Sequence, residues 1–237
     1  MDKKIRRAQN DILAVFAKKA RTFALAGGTA LELYYLKHRS SVDLDFFSPQ
    51  YSFKEIESLI SSFRAQAGYR LKLENEFIAS ERAKVRFYTA PIKGSMRPLK
   101  IDFVEDVVFN KPSIRKIKGV RVYSAENIYL QKIGAIAGTI ASEDDIGRFV
   151  AQGRQQARDV FDLYMLSKKI IPLHRFLESA PRQLQRGMVH WYRVFSRQDV
   201  MLELLDLDIY DKKFSSKKMI IYLEKEMKLF IKKETEL

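Results

Sequence analysis

Ala26-Gly27-Gly28-Thr29, followed by Lys37-His38-Arg39-Ser40-Ser41-Val42-Asp43-Leu44-Asp45-Phe46, is the stretch that decides how this chain is built. Residues 22–26 form a short apolar run, as a buried strand does, and the glycine pair stops it in a tight turn. Residues 29–37 then read as a helix, which puts Thr29 at its N-cap or in its first turn. Residues 42–47 alternate with period two, as a strand does, and Ser48-Pro49 ends the run. Positions two apart on a strand share a face, so Asp43 and Asp45 lie on one side and Leu44 and Phe46 on the other. Two neighbouring carboxylates repel unless a cation sits between them or one is protonated. The pair is therefore a candidate holder for a divalent ion; the plainer alternative is an edge strand with its acidic face in water. Free N–H groups at a helix start attract anions. Gly27, Gly28 and Thr29 are thus a candidate triphosphate cradle, against the plainer alternative of a structural turn. A phosphate turn and a carboxylate pair on consecutive elements are what two-metal phosphoryl transfer needs.

Working outward, Asp102 lies in Leu99-Lys100-Ile101-Asp102-Phe103-Val104, a strand pattern in which it faces away from Ile101 and Phe103. If that strand neighbours the one at 42–47, three carboxylates cluster. Arg39, just ahead of the acidic strand, is placed to contact phosphate or to pair with a carboxylate. Ile5, Ile12, Leu13, Val15 and Phe16 fit one face of a first helix. Residues 53–63 also read as helix, residues 69–78 and 84–90 as a hairpin or meander, and 120–123 as a short strand. From Ser124 onward the pattern is helical, over 124–141, 144–168, 172–179, 182–196, 198–207 and 216–234. The expected fold is α+β or α/β: a mixed sheet with helices in a domain over 1–123, then a helical domain over 124–237.

The chain has 237 residues, 43 Lys and Arg against 29 Asp and Glu, and a net charge of +14. It has no Cys and three His, which excludes disulfides, thiolate metal sites and a Cys nucleophile, and disfavours a multi-His site. A metal would need hard oxygen ligands, as Mg²⁺ does. No apolar run is long enough to cross a membrane and no export signal is visible, so a cytoplasmic location is expected. Residues 111–121 and 182–197 are basic without an acid. In the second of these, Arg182, Arg186, Arg193 and Arg197 accompany His190, Trp191 and Tyr192. A basic helix with exposed aromatics suits an RNA backbone and unpaired bases; aromatics packed in a helical core are the alternative.

Gly-Gly-Thr, the His-Arg-Ser-Ser-Val-Asp-Leu-Asp-Phe-Phe stretch and the later Asp102 resemble the DNA polymerase β-like nucleotidyltransferases, and most of all the AbiEii/AbiGii toxin family of type IV toxin–antitoxin and abortive-infection systems. The resemblance runs over roughly residues 23–166 and includes Lys132 in Leu130-Gln131-Lys132-Ile133-Gly134-Ala135 and the Arg158-Asp159-Val160-Phe161-Asp162 motif. It implies an enzyme that moves NMP from an NTP to an acceptor hydroxyl. Asp43, Asp45 and Asp102 would ligate Mg²⁺ or Mn²⁺, and Gly27, Gly28 and Thr29 would hold the triphosphate. Lys132 would neutralise phosphate charge, and Asp159 would be a site residue ahead of Asp162. Arg158 would orient Asp159 or touch phosphate. It also implies an RNA acceptor, tRNA foremost, and a cognate antitoxin encoded nearby. The alternatives are a transferase acting on a protein side chain, a noncatalytic RNA- or partner-binding protein that kept the fold, and, last, a metal-dependent hydrolase.

Overall fold

The computed structural model describes residues 2–78, 83–138, 141–143, 149–151, 153–154 and 156–236. The chain forms two compact units, Met1–Asn127 and Ile128–Leu237. Among the described residues no helix is long and apolar enough to cross a membrane.

The first unit opens with helix α1 (Lys3–Lys19), whose N-cap Asp2 accepts the Lys4 N–H at 2.8 Å. Its apolar face, with Ile5, Ile12 and Phe16, is buried as the 3.6-residue spacing predicts. Strand β1 (Ala24–Ala26) runs into helix α2 (Gly27–Ala30), which widens into a π-helical winding over Leu31–Leu36. The helix expected from residue 29 therefore starts at the glycines and changes winding midway. Strand β2 (Leu44–Ser48), helix α3 (Phe53–Ala67) and strands β3 (Lys72–Phe77), β4 (Val85–Ala90), β5 (Leu99–Glu105), β6 (Ile114–Ile117) and β7 (Val120–Tyr123) follow.

The seven strands form one mixed sheet in the order β3-β4-β5-β2-β1-β7-β6. The β2–β5 and β1–β7 pairs are parallel and the rest antiparallel. Strand β2 shows the predicted alternation, with Leu44, Phe46 and Ser48 buried and Asp45 and Phe47 on the more open face. Phe46 stacks on Phe16 at 4.1 Å and lies 5.4 Å from Phe103, which Phe23 meets edge-on at 5.2 Å. Burying a phenylalanine contributes about 1.5–3 kcal/mol, so this cluster binds α1 to the centre of the sheet. Strand β6 is an addition to the expected pattern. Lys118 and Gly119 both have positive φ, 50° and 84°, the mirror-image turn that joins two twisted strands in two residues.

The second unit contains most of α4 (Ala125–Ala137), a two-stranded ribbon of β8 (Ala141–Glu143) and β9 (Phe149–Ala151), and helices α5 (Ala157–Lys169), α6 (Leu173–Glu178), α7 (Arg182–Val194), α8 (Arg197–Glu203) and α9 (Ser216–Thr235). The helix expected over 144–168 is corrected: residues 144–148 lie outside the described residues, 149–151 are strand, and helix begins at Ala157. Ahead of that helix, Arg154 N–H donates to the Ala135 carbonyl at 2.7 Å, and a Cβ at Gly153 would overlap the Ile136 carbonyl. Those backbone contacts draw the chain against the end of α4 and replace helical pairing. Tyr129 stacks on Phe176 at 4.1 Å, and Leu223, Met227 and Phe230 give α9 its buried face.

Candidate active site

Strands β1 and β2 pair with Ala26 opposite Asp45, so the glycine turn emerges beside the acidic face of β2. Gly27 has φ of 66°, and a Cβ there would strike the Asp45 carboxylate. Conformation and space both require glycine. At the neighbouring Gly28, an added Cβ would lie 2.6 Å from Arg39 Nη2 and 2.9 Å from Ser41 Oγ. Arg39 is 4% exposed and donates from Nη1 to the Ser40 carbonyl at 3.1 Å. The turn thus has a carboxylate on one side and a buried guanidinium on the other. Thr29 is fully buried and its hydroxyl donates to the Asp43 carbonyl. That link ties the turn to the strand entry.

Strands β2 and β5 run parallel with Asp45 directly in register with Asp102. Their flanking pairs, Leu44 with Ile101 and Phe46 with Phe103, are all buried. By alternation both carboxylates stand on the opposite face, on strands about 4.8 Å apart. Asp43 lies one residue before β2 begins. Among the described residues no group of three or more His, Asp or Glu is arranged to hold a metal ion. The structure therefore brings two of the three predicted ligands side by side and puts the third at the strand entry. Paired carboxylates without nitrogen or sulfur donors, beside a turn with no side chain, suit a hard divalent cation.

Residues between the helical winding and β2 are pinned by groups that the sequence motif does not include. Lys37 takes a left-handed conformation, φ 48°, and ends the winding. Ser41 N–H donates to Glu32 Oε2 at 2.9 Å, and its carbonyl accepts from Gln9 Nε2 at 3.1 Å. Glu32, 4% exposed, also takes an ion pair from Arg6. His38 is 3% exposed. Tyr35 donates to the Tyr123 carbonyl at 2.7 Å, and Tyr123 donates to Asp106 at 2.7 Å. Burial, more than the Asp106 partner, pushes the Tyr123 phenol far above its ordinary value, so it stays a donor. These long-range links leave no local signal in sequence.

In the second unit, Lys132 Nζ lies 2.5 Å from Asp159 Oδ1 and 2.8 Å from Asp162 Oδ2. Asp159 and Asp162 are three apart on α5, as the motif spacing requires for one face. They are 1% and 0% exposed and Lys132 is 10% exposed, counting side chains. The predicted phosphate-neutralising lysine is thus clamped between two buried carboxylates. Arg154 approaches the other Asp159 oxygen at 3.7 Å. Arg158, expected to orient Asp159 or to touch phosphate, donates from Nε to Gln156 Oε1 at 2.9 Å.

Comparison with known proteins gives a match to the family model for the nucleotidyl transferase AbiEii toxin of type IV toxin–antitoxin systems, over residues 11–226. No curated protein sequence matches significantly. Among solved structures, a candidate nucleotidyltransferase from H. pylori superposes with a TM-score of 0.60 at 18% identity, covering 98% of this chain and 96% of that one. JHP933 from Helicobacter pylori gives 0.59 at 18% identity, covering 100% and 95%. Those likenesses show the fold.

Proposed function

The chain belongs to the AbiEii family of nucleotidyltransferase toxins, and from that premise we propose that it transfers a nucleoside monophosphate from an NTP to a hydroxyl of an RNA acceptor, tRNA foremost. The observation that carries this reading is the register of Asp45 with Asp102 beside the Gly27-Gly28 turn. Asp45 and Asp102, with Asp43 at the strand entry, would hold Mg²⁺ or Mn²⁺. When bound, that ion neutralises charge on the triphosphate. The turn's N–H groups orient the phosphates, and Arg39 supplies a fixed positive charge behind them. Asp102 accepts the proton of the attacking hydroxyl at its carboxylate. The hydroxyl oxygen bonds to the α-phosphorus while the bond to pyrophosphate breaks. Asp159 and Asp162 act as positioning residues that hold the Lys132 ammonium in one place. Membership in a type IV toxin–antitoxin family supports an antitoxin as the controlling partner.

The test is incubation of the protein with labelled NTPs, Mg²⁺ and total RNA, against an Asp45→Asn variant. Label is expected in RNA, and the variant should lose more than about 100-fold of the rate, exceeding the cost of disturbing an outer-shell partner. Label appearing on protein would overturn the RNA acceptor. Equal rates for the two proteins would overturn the assigned site.

A further inference from the structure

Helices α7 and α9 enclose an open groove of about 370 Å³. Its α7 wall presents Arg182, Arg186, His190 and Arg193, spaced by four, four and three residues and therefore on one helix face. Its floor is apolar, from Val189, Phe230 and Ile231. One acid, Glu234, lines it and is paired with Arg182. Arg186 and Arg193 are exposed and have no ion-pair partner among the described residues.

Arg186 and Arg193, on the same face as Arg182 with one acid among them, repel, and a polyanion that covers them stabilises the arrangement. Arg186 and Arg193 are seven residues apart, about 10.5 Å along the helix axis. That span equals about three steps of a stacked strand at 3.4 Å per nucleotide. Neither Trp191 nor Tyr192 lines the groove. Trp191 is 3% exposed and stacks inward on Phe195 at 4.3 Å, and Phe230 is 2% exposed. What the groove offers a nucleic acid is guanidinium for phosphate, not ring faces for bases.

We propose that the α7–α9 groove is a second, sequence-blind RNA-anchoring site that grips three to four nucleotides of backbone through Arg186 and Arg193. It rests on the reading of RNA as acceptor, and adds where and how the strand is held. Each phosphate contact on a single strand contributes about −0.7 to the slope of log affinity against log salt. Two contacts therefore account for a slope of about −1.4 and for about a 14-fold gain in affinity at 0.15 M salt.

The experiment compares wild type with Arg186→Ala/Arg193→Ala and with Lys217→Ala/Lys225→Ala, an equal charge loss at exposed α9 positions outside the groove lining. The probe is a fluorescein-labelled RNA hairpin with a single-stranded 3′ tail, followed by anisotropy from 0.05 to 0.5 M KCl. The arginine pair should weaken binding about 14-fold at 0.15 M and flatten the slope by about 1.4, equally for tails of different sequence. The lysine pair should do neither. An unchanged slope in the arginine pair, or the same flattening in the lysine pair, overturns the groove. Sequence-dependent losses overturn backbone-only reading. Thermal shift with NTP and Mg²⁺ should be the same for all three proteins. If wild type labels RNA but the arginine pair binds it normally, the groove alone is wrong. If wild type neither binds nor labels RNA, the acceptor reading itself fails.

Discussion

Replacing Lys132 by Met keeps the side chain's length and removes its charge from between two carboxylates. In the folded protein Asp159 Oδ1 and Asp162 Oδ2 lie 2.5 and 2.8 Å from the ammonium, and both aspartates are almost completely shielded from water. Breaking such a buried pair from one side costs about 3–5 kcal/mol, because the remaining charge is desolvated and uncompensated. Here two carboxylates lose the ammonium between them, while Arg154 stays 3.7 Å from one Asp159 oxygen. For a chain of this size each kcal/mol lowers the melting temperature by about 2–4 °C, so the Lys132→Met variant should melt about 6–20 °C below wild type. Differential scanning calorimetry at neutral pH reads this directly. Adding Asp162→Asn to the variant removes one of the stranded charges and should restore part of the loss. A double-mutant cycle should return a coupling of about 0.5–3 kcal/mol. A melting temperature within about 2 °C of wild type, or strictly additive losses, would show that the clamp is not the stabilising arrangement described.

The other expectations concern the turn and a buried phenol. Gly27→Ala forces an L side chain to φ of 66° and drives its methyl into the Asp45 carboxylate. It should cost about 1–3 kcal/mol in urea unfolding and abolish nucleotidyl transfer; a fully active variant would remove the turn from the site. Tyr129 is buried, with its hydroxyl 3.3 Å from the Ile171 carbonyl, and burial first of all raises its phenol far above the ordinary 10.0. Below about pH 10 both states keep the proton and nothing changes. Above it the unfolded chain loses a proton that the folded chain retains, so stability falls as pH rises. Tyr129→Phe should make that decline shallower, by an amount that approaches about 1.4 kcal/mol per pH unit above about pH 11, and an identical slope would refute it.

The acidic strand was legible because its alternation is local: Leu44 and Phe46 face the aromatic core and Asp45 does not. The spacing of Asp159 and Asp162 was legible for the same reason, helix period alone putting both on one side. Their counter-ion was not, because Lys132 comes from another helix and no spacing rule joins the two. Asp43 shows a boundary effect. Alternation extends to it in sequence, but pairing with β5 begins one residue later, at Leu44, and pairing with β1 two residues later, at Asp45. Strand β6 hid behind its own composition, since Arg115 and Lys116 read as a basic patch while the pairing partner and the Lys118-Gly119 turn made it a strand. Trp191 settles for itself a choice that the sequence left open. A basic helix with aromatics suggested a stacking surface, yet the tryptophan ring lies inside against Phe195. Sequence gives the period of a helix but not which stripe its neighbours cover.

Strand β2 is bordered by β1, which precedes it closely, and by β5, which brings Asp102 beside Asp45 after 57 further residues. The two carboxylates thus become neighbours at different moments in the life of the chain. A ribosome adding about 5–20 residues per second needs about 3–11 s to cover that interval. During it, the β1–β2 hairpin and its glycine turn can form while the acidic partner is still unmade. Parallel, non-local pairing of this kind is also slow to close once the residues are available. Until β5 is made, Asp45 therefore stands without its in-register neighbour, and a growing chain lacks the paired carboxylates that the proposed metal site needs.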